Sequence, residues 1–369
     1  MPPHNLARAA AGTSTPGPSS ATGEESASHH SDVVDVDDDA DSAFEDGDNI
    51  SYSSLRDDYW GPSDEQQFET LNAGHVLYLV LDSNQPNPLF RSPIEEPLGQ
   101  DLALGPSDQF PAASVYGVDL SPPPSNWVPP NCFLQVDDVL EEWTWRQDFD
   151  LIHMRLMLGA FTDTEWTAVY KKCFDNLRSG GYIEQVELDV RVMSDDGSLA
   201  PDSLLAGWGQ TFLDCARRAG RPLDTQLTMK AKIEAAGFVD VQEHLYKCPI
   251  GAWPKDPLLK DAGRINLTHW SSGLDGWAMM LLTRWGAPEP WTADEARVYV
   301  ARVREELKKR RLHIWHYTTN YTVPQSHSLS EANLLYPANM FPLILMATMV
   351  GAIGLTVFGG MPKFTHLIG

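Results

Sequence analysis

Three acidic side chains lie at the ends of two short apolar runs, and their spacing suits recognition of a nucleoside. The run Val115–Asp119 ends on its own acid, and Cys132–Val136 is followed by Asp137 and Asp138. Such runs are typical of buried strands, and open α/β sheets bind ligands at the carboxyl ends of their strands. Asp119 can accept hydrogen bonds from the two hydroxyls of a ribose, and Asp137 or Asp138 can accept one from an amine such as that of adenine. The alternative is that these acids only cap helices or form turns.

A third apolar run, Phe149–Met154, brings a base and a cation towards the same edge. His153 lies within it and Arg155 follows it, while Glu184 and Glu187 belong to the next predicted strand. If the chemistry is methyl transfer from a sulfonium, alignment of the reacting atoms does most of the work. His153 can then serve as a base for an acceptor that must lose a proton, or it is a structural histidine of the core.

The predicted strands and helices alternate as in an open parallel α/β sheet. Three strands are followed by a helix that begins with the capping box of Thr162 and Glu165. Gly180 is expected to end this helix, and Tyr182–Glu187 to form the next strand. Further along, the pattern predicts helices over Asp202–Arg218, Gln226–Ala236 and Thr292–Arg310, strands over Phe238–Tyr246 and Leu312–Val323, and a partly helical stretch over Leu258–Arg284.

The apolar run Val76–Leu81 resembles a first nucleotide-binding strand because it ends on Asp82. No glycine follows, however, so the backbone there is not suited to a close approach to phosphate or carboxylate. A helix or hairpin packed on the outside of the domain is expected instead.

Composition excludes some classes of function. The net charge is -24, and Met1–Ile50 holds eleven acids against the single basic residue Arg8. An acidic protein disfavours phosphate contacts, so no direct contact with nucleic acid is expected. Residues 1–55 are predicted to be a disordered acidic tail. Four scattered cysteines indicate reduced thiols rather than a metal site, and with no secretory signal they predict an intracellular protein.

The last part of the chain changes in character. Met340–Met361 contains no charged residue over 22 positions. About 20 apolar residues are enough to cross a bilayer as a helix, so this segment is a candidate transmembrane helix and membrane anchor. The alternative is an apolar tail that folds onto the domain.

Several long motifs, in order from Tyr59 to Val323, resemble one family. They include YWGPSDEQQ, VYGVDLSP, NWVPPNCFLQVDDVLEEWTW, FDLIHMRLMLGAF, LRSGGYIEQVE and LHIWHYTTNYTV. The chain is similar to the fungal S-adenosylmethionine-dependent methyltransferases of the LaeA-like or UMTA group. The resemblance implies an α/β fold with a class I methyltransferase (Rossmann-like) sheet and S-adenosyl-L-methionine as cofactor. It also implies a link to secondary metabolism and a location in the cytoplasm or nucleus.

The resemblance also implies roles for parts of the chain. A methyltransferase domain is expected over 56–323, with an N-terminal cap at 56–97, a cofactor-binding core at 98–190 and substrate-side helices within 191–323. The extension 324–369 lies outside it. His153 is the tentative catalytic residue. The expected cofactor-binding residues are Asp119, Leu120, Asp137, Asp138, His153 and Arg155.

Two departures from the family leave the activity of this chain open. The family has a strand and glycine loop of the form VLDxGxGxGxW, but here only LGQ joins Pro97 to Asp101, so the sheet is expected to lack its first strand. Gln325–Gly369 has no family counterpart. The chain is therefore either a methyltransferase or a non-enzymatic protein of the same fold, held at a membrane by its tail. A nicotinamide-dependent oxidoreductase would need a GxGxxG motif that is missing.

The methyl acceptor is not identified by these residues, and a small molecule and a protein both remain open. Tryptophans are abundant, and they either line an apolar acceptor pocket or fill the core. The four considered for the pocket are Trp143, Trp145, Trp166 and Trp208.

Overall fold

A mixed sheet of eight strands forms the centre of the molecule in a computed structural model. The structure describes residues 50–52, 55–56, 59–93, 113–121, 130–145, 148–325 and 343–348, the last of these by backbone alone. Contacts divide the chain into two units, Met1–Asp46 and Gly47–Gly369, and every described residue belongs to the second. The predicted tail up to residue 49 lies outside the described residues.

The strands come largely from the runs that the sequence predicts. The four strands predicted around the helix Asp163–Asp175 are confirmed. The two strands predicted later in the chain begin a few residues downstream of their predicted starts. Their bounds are β1 Ser114–Asp119, β2 Cys132–Val136, β3 Phe149–Arg155, β4 Leu177–Leu188, β5 Met193–Ser194, β6 Gln242–Ile250, β7 Ile314–Pro324 and β8 Leu343–Thr348.

The sheet has a parallel half and an antiparallel half. The order is β2-β1-β8-β3-β4-β7-β5, and β6 pairs with the other side of β7. Strands β2, β1, β8, β3 and β4 are parallel neighbours, whereas β7 runs antiparallel to β4, β5 and β6. A parallel sheet with one reversed strand near its edge is compatible with a doubly wound α/β fold. The open parallel sheet expected from the first four predicted strands is confirmed, and the antiparallel strand β7 extends it.

The strand β8 lies between β1 and β3. The segment from Pro97 to Asp101, where the family strand is expected to be missing, lies outside the described residues, and β8 pairs with both β1 and β3. Over 343–348 the predicted transmembrane helix is wrong, because these residues pair with two strands of the sheet. The rest of Met340–Met361 lies outside the described residues. Among the described helices, none has the length and apolarity needed to cross a bilayer.

The described residues include six α-helices beside the sheet, and side-chain caps set where most of them begin. Thr162 forms the predicted capping box with Glu165, and Thr292 forms a second one with Glu295. The helices are α1 Glu65–Leu81, α2 Asp163–Asp175, α3 Leu204–Ala219, α4 Met229–Ala235, α5 Pro257–Trp285 and α6 Ala293–Leu307. The prediction that Gly180 ends α2 is wrong: Asn176 is the C-cap, and Gly180 lies within β4 with φ of 77°.

Helix α1 includes the run Val76–Leu81, which confirms the helical interpretation of that run. Asp64 caps the helix by accepting the Gln67 N–H at 2.9 Å. The helix packs against α5, where His269 Nδ1 lies 2.8 Å from the Thr70 carbonyl. Its buried side chains place it within the fold rather than on the outside.

Helix α2 contacts β4 through a hydrogen bond of Tyr170 that is surrounded by aromatic side chains of the core. The Tyr170 hydroxyl donates to Gln185 Oε1 at 2.7 Å, and the Trp166 ring stacks on Tyr170 with centroids 5.2 Å apart. Trp166 therefore belongs to the core rather than to a pocket. All four cysteines are buried free thiols, which agrees with the reduced state predicted from the sequence.

Candidate functional site

The carboxyl ends of β1, β8 and β3 lie side by side. Val118 pairs with Ala347, so the next residue of each strand, Asp119 and Thr348, comes at the same level. Thr348 in turn pairs with Arg155 of β3. Because all three strands are parallel, the structure brings Asp119 and the end of β3 to one edge, where open α/β sheets bind their ligands. We call this edge the crevice.

Asp119 is held in place by the turn that follows it. Its Oδ1 accepts the Ser121 N–H at 3.0 Å, and its carbonyl accepts the Asp137 N–H at 3.0 Å, which fixes the ends of β1 and β2 together. Leu120 is half-buried and packs against the main hydrophobic core. These hydrogen bonds fix the Asp119 carboxylate at the end of β1, beside the crevice.

Tyr59, from the N-terminal segment, lies close enough to Asp119 to be influenced by its charge. Burial, and after it the charge of Asp119, raise the pKa of the Tyr59 hydroxyl well above its usual range. The side chain is 2% exposed, yet its hydroxyl has no hydrogen-bond partner among the described residues. A buried hydroxyl without a partner costs free energy, so a ligand that supplies the partner would be stabilised here.

The two acids after β2 have different surroundings. Asp137 is exposed, and its carboxylate accepts the N–H of Asp138 at 2.8 Å. Asp138 Oδ2 lies 3.6 Å from Arg56 Nε, and Arg56 also lies 3.6 Å from Glu165. Asp138 therefore joins the crevice to the start of α2, while Asp137 remains the more accessible acid.

His153 does not reach the crevice edge. It lies two residues before the end of β3, pairs with Glu184 of β4, and is 1% exposed. Neither ring nitrogen has a hydrogen-bond partner among the described residues. Burial, and after it the charge of Arg155, lower the pKa of His153 to about 3, so the ring is neutral and weakly basic. The catalytic role assigned to it stays a prediction.

Arg155 turns towards α1 rather than into the crevice. Its Nη2 lies 3.1 Å from His75 Nδ1, and its guanidinium lies 5.5 Å from the centre of the Tyr78 ring. The side chain is 5% exposed, and burial lowers its pKa. These contacts attach the end of β3 to α1. In this structure Arg155 therefore holds the backbone of β3 in place against the helix.

Glu187 holds the loop that follows β3, a role that the sequence does not reveal. Its two carboxylate oxygens accept the N–H groups of Met157 at 3.0 Å and Leu158 at 3.1 Å. Burial raises the pKa of Glu187 to about 7. Leu156, which begins this loop, has φ of 56°, an uncommon value for a leucine that the clamp helps to hold. The sequence places Glu187 at the end of the predicted strand Tyr182–Glu187, but its contact with this loop depends on the tertiary structure.

An apolar cavity lies beside this loop. Leu156 and Leu158 form one side of it, and two polar groups, Gln67 and His269, complete the wall. Burial lowers the pKa of His269 to about 4, so this ring is neutral as well. The aromatic part of the wall consists of Trp60, Trp208, Phe212, Trp270 and Trp277. Of the four tryptophans considered from the sequence, only Trp208 lines this cavity.

Two fungal proteins resemble the chain over most of its length. The methyltransferase pytC of Aspergillus terreus is 33% identical over 264 residues, which cover 68% of this chain and 78% of pytC. The chain belongs to the LaeA-like family of fungal methyltransferases. The secondary metabolism regulator LAE1 of Cochliobolus heterostrophus is 32% identical over 270 residues, which cover 70% of this chain and 86% of LAE1.

Other comparisons add little to this family assignment. No family model matches the chain. Phosphoethanolamine N-methyltransferase 2 of Haemonchus contortus, solved with S-adenosyl-L-methionine, has a TM-score of 0.31 and 14% identity over 58% of this chain and 44% of its own. The cyclopropane synthase MmaA2 of Mycobacterium tuberculosis has a TM-score of 0.33 and 12% identity over 71% of this chain and 99% of its own.

The family's cofactor is S-adenosyl-L-methionine, and the crevice has groups that fit it. Asp119 stands at the end of β1, where a carboxylate suits the two hydroxyls of a ribose. The unpartnered hydroxyl of Tyr59 is buried beside it. The exposed Asp137 follows the neighbouring strand. The residues after Thr348, and those between Pro97 and Asp101, lie outside the described part of the chain.

Proposed function

We propose that this chain binds S-adenosyl-L-methionine in the crevice and transfers its methyl group to a small, apolar, planar acceptor in the aromatic cavity. The observation that carries the proposal is the placement of two consecutive residues. The buried Tyr59 hydroxyl lies within the electrostatic influence of Asp119, and Trp60 lines the cavity. A cofactor held by Asp119 and an acceptor held by Trp60 would therefore be neighbours.

In this proposal the protein acts mainly by alignment. Asp119 would hold the ribose, and Glu187 would fix the backbone of Met157 and Leu158 between the crevice and the cavity. Alignment of this kind supplies much of the rate of a transfer between two bound molecules. His153 is buried and its pKa is lowered, so it is a poor base. We therefore expect an acceptor atom that does not need this residue to remove a proton.

The walls of the cavity favour a small molecule over a protein side chain as acceptor. Flat apolar ligands pack well between tryptophan rings. The indole N–H groups of Trp60 and Trp270 have no partner among the described residues, so an oxygen-bearing acceptor would satisfy them. The name of the relative LAE1, a secondary metabolism regulator, supports a link of this acceptor to secondary metabolism.

Calorimetric titration of the full chain with S-adenosyl-L-methionine tests the cofactor site. We expect the wild-type protein to bind, and Asp119→Asn to weaken binding by about tenfold to a hundredfold, since charged hydrogen bonds to a ligand are each worth about 1.5–3 kcal/mol. Asp202→Asn is the matched control, because Asp202 is exposed and lies before α3. We expect this variant to bind as the wild type does.

Two results would overturn the proposal. One is no binding by the wild-type chain at millimolar cofactor, which would favour a non-enzymatic role for the fold. The other is unchanged binding by Asp119→Asn in a protein whose circular dichroism matches the wild type. That result would place the cofactor elsewhere.

A further inference from the structure

The strand β8 joins two parts of the sheet that have no other described connection through strand pairing. It pairs with β1 from Leu343 to Ala347 and with β3 from Ile344 to Thr348. Among the described strands, β1 otherwise pairs only with β2, and β3 only with β4. Without β8 the sheet would divide into the pair β1–β2 and the remainder.

Removing β8 would leave a gap about two strand spacings wide, ~10 Å, between β1 and β3. Both strands would then expose a row of backbone N–H and C=O groups. A pair of strands such as β1 and β2 is marginally stable alone, and it carries Asp119. The position of Asp119 relative to the loop after β3 therefore depends on β8.

The chain can supply this strand to itself. Gln325 follows β7, and its N–H donates to the Gly181 carbonyl at 2.8 Å, which fixes the chain beside β4. From β7 to β8 is three strand spacings, ~14 Å. Residues 326–342 separate Gln325 from Leu343, and a chain of this length spans up to ~55–60 Å. The link is thus long enough to reach across β4 and β3.

The sequence of β8 suits a central parallel strand. Leu-Ile-Leu-Met-Ala-Thr is a continuous apolar run. Strands buried on both faces of a parallel sheet have this composition, whereas exposed strands alternate with polar residues.

We propose that residues 343–348 are an intramolecular complement strand, which the rest of the fold accepts between β1 and β3 and on which cofactor binding depends. The structural part of this inference stands by itself, and the binding part rests on the proposed function. The occupant of the gap is this chain's own C-terminal segment. Pairing with β1 and β3 holds the strand, so it should remain in place after the link is cut.

Cutting the link in the full-length protein tests the structural part. A protease recognition sequence inserted between Asn333 and Leu334 allows cleavage after folding. We expect the C-terminal fragment to stay with the body through native gel filtration, at the mass of one chain, and to separate in denaturant. Release of the fragment under native conditions would overturn the inference, and a doubled mass would show that a second copy supplies the strand.

A proline within β8 provides the matched disruption. Leu345→Pro removes a ladder N–H from a strand paired on both sides and strains the backbone there. In the cleavable protein we expect this variant to release its fragment, whereas Leu345→Val should retain it. Retention by both variants would contradict the proposed pairing.

Titration with S-adenosyl-L-methionine tests the binding part on the uncut chains. We expect Leu345→Pro to bind at least tenfold more weakly than the wild type, and Leu345→Val to bind equally. Equal binding by all three would overturn the dependence on β8. If the wild type binds no cofactor but keeps its cleaved fragment, the proposed function fails while the complement strand stands.

Discussion

The two halves of the sheet are built in different ways. In the antiparallel half, β7 pairs with β6 over the nine residues Gln242–Ile250 and with β4 over the seven residues Tyr182–Leu188. In the parallel half, β8 pairs with β1 and with β3 over five residues each. The ladders on either side of β7 are thus longer than those on either side of β8.

We expect the two halves of the sheet to contribute differently to stability and to ligand binding. The antiparallel half provides a continuous support, and the parallel half carries Asp119 and the loop beside the cavity. Strand β4 belongs to both halves, because it pairs with β3 on one side and β7 on the other. Changes in β4 should therefore unfold the protein, while changes at the crevice edge should mainly affect binding.

The largest effect is expected from Glu184→Ala at the boundary between the halves. The Glu184 carboxylate accepts the N–H groups of Arg91 and Ser92, the Ser92 hydroxyl and the Asn320 amide, all within 3.0 Å. Alanine would leave several buried donors without partners, at about 1–3 kcal/mol each. We expect a loss of about 4 kcal/mol in the free energy of unfolding by urea, against less than about 0.5 for exposed Glu142→Ala. A loss below about 1 kcal/mol would contradict this role of β4.

The next effect is a pH dependence from Glu187, whose pKa burial raises to about 7 from an ordinary value of 4.5. Between these two values the folded protein keeps a proton that the unfolded chain has lost. The free energy of unfolding therefore falls as pH rises through this window, by about 3 kcal/mol at most, and the contribution is level above it.

Urea unfolding of wild type and Glu187→Gln at pH 5 and pH 8 measures this contribution. We expect the stability of the wild type relative to the variant to fall by about 2–3 kcal/mol between the two, because glutamine does not titrate. The amide also cannot accept both loop N–H groups, so weaker cofactor binding should accompany it. Parallel pH profiles for the two proteins would show that Glu187 is ionised throughout.

The smallest effect is expected at the cavity, from Gly159→Ala. Its added Cβ would lie 2.1 Å from Trp60 Nε1, so the indole would have to move. Gly197→Ala is the matched control, since its φ of 74° nearly equals the 73° of Gly159 and its Cβ would meet nothing within 4 Å. Both variants carry the backbone cost of about 1 kcal/mol, and Gly159→Ala should lose about 1–2 kcal/mol more in urea unfolding.

Much of the local structure could be predicted from the sequence, because it depends on neighbouring residues. The Thr162 capping box, the strands that end at Asp119 and Val136, and the helical character of Val76–Leu81 follow from short-range patterns. The long motifs were sufficient to indicate the family. Gly180 was misplaced because a glycine with positive φ also occurs within irregular strands.

The sequence by itself determined the family, the order of most elements and the acid at the end of β1. Only the tertiary structure decided which side chains face the crevice, since His153 and Arg155 differ from Asp119 by burial that depends on α1 and β4. It also decided the structure of residues 343–348 in the apolar C-terminal segment. An uncharged run of this kind suits a bilayer and a buried strand equally well, because both exclude water. Pairing with β1 and β3, which lie far away in the sequence, makes these six residues a strand.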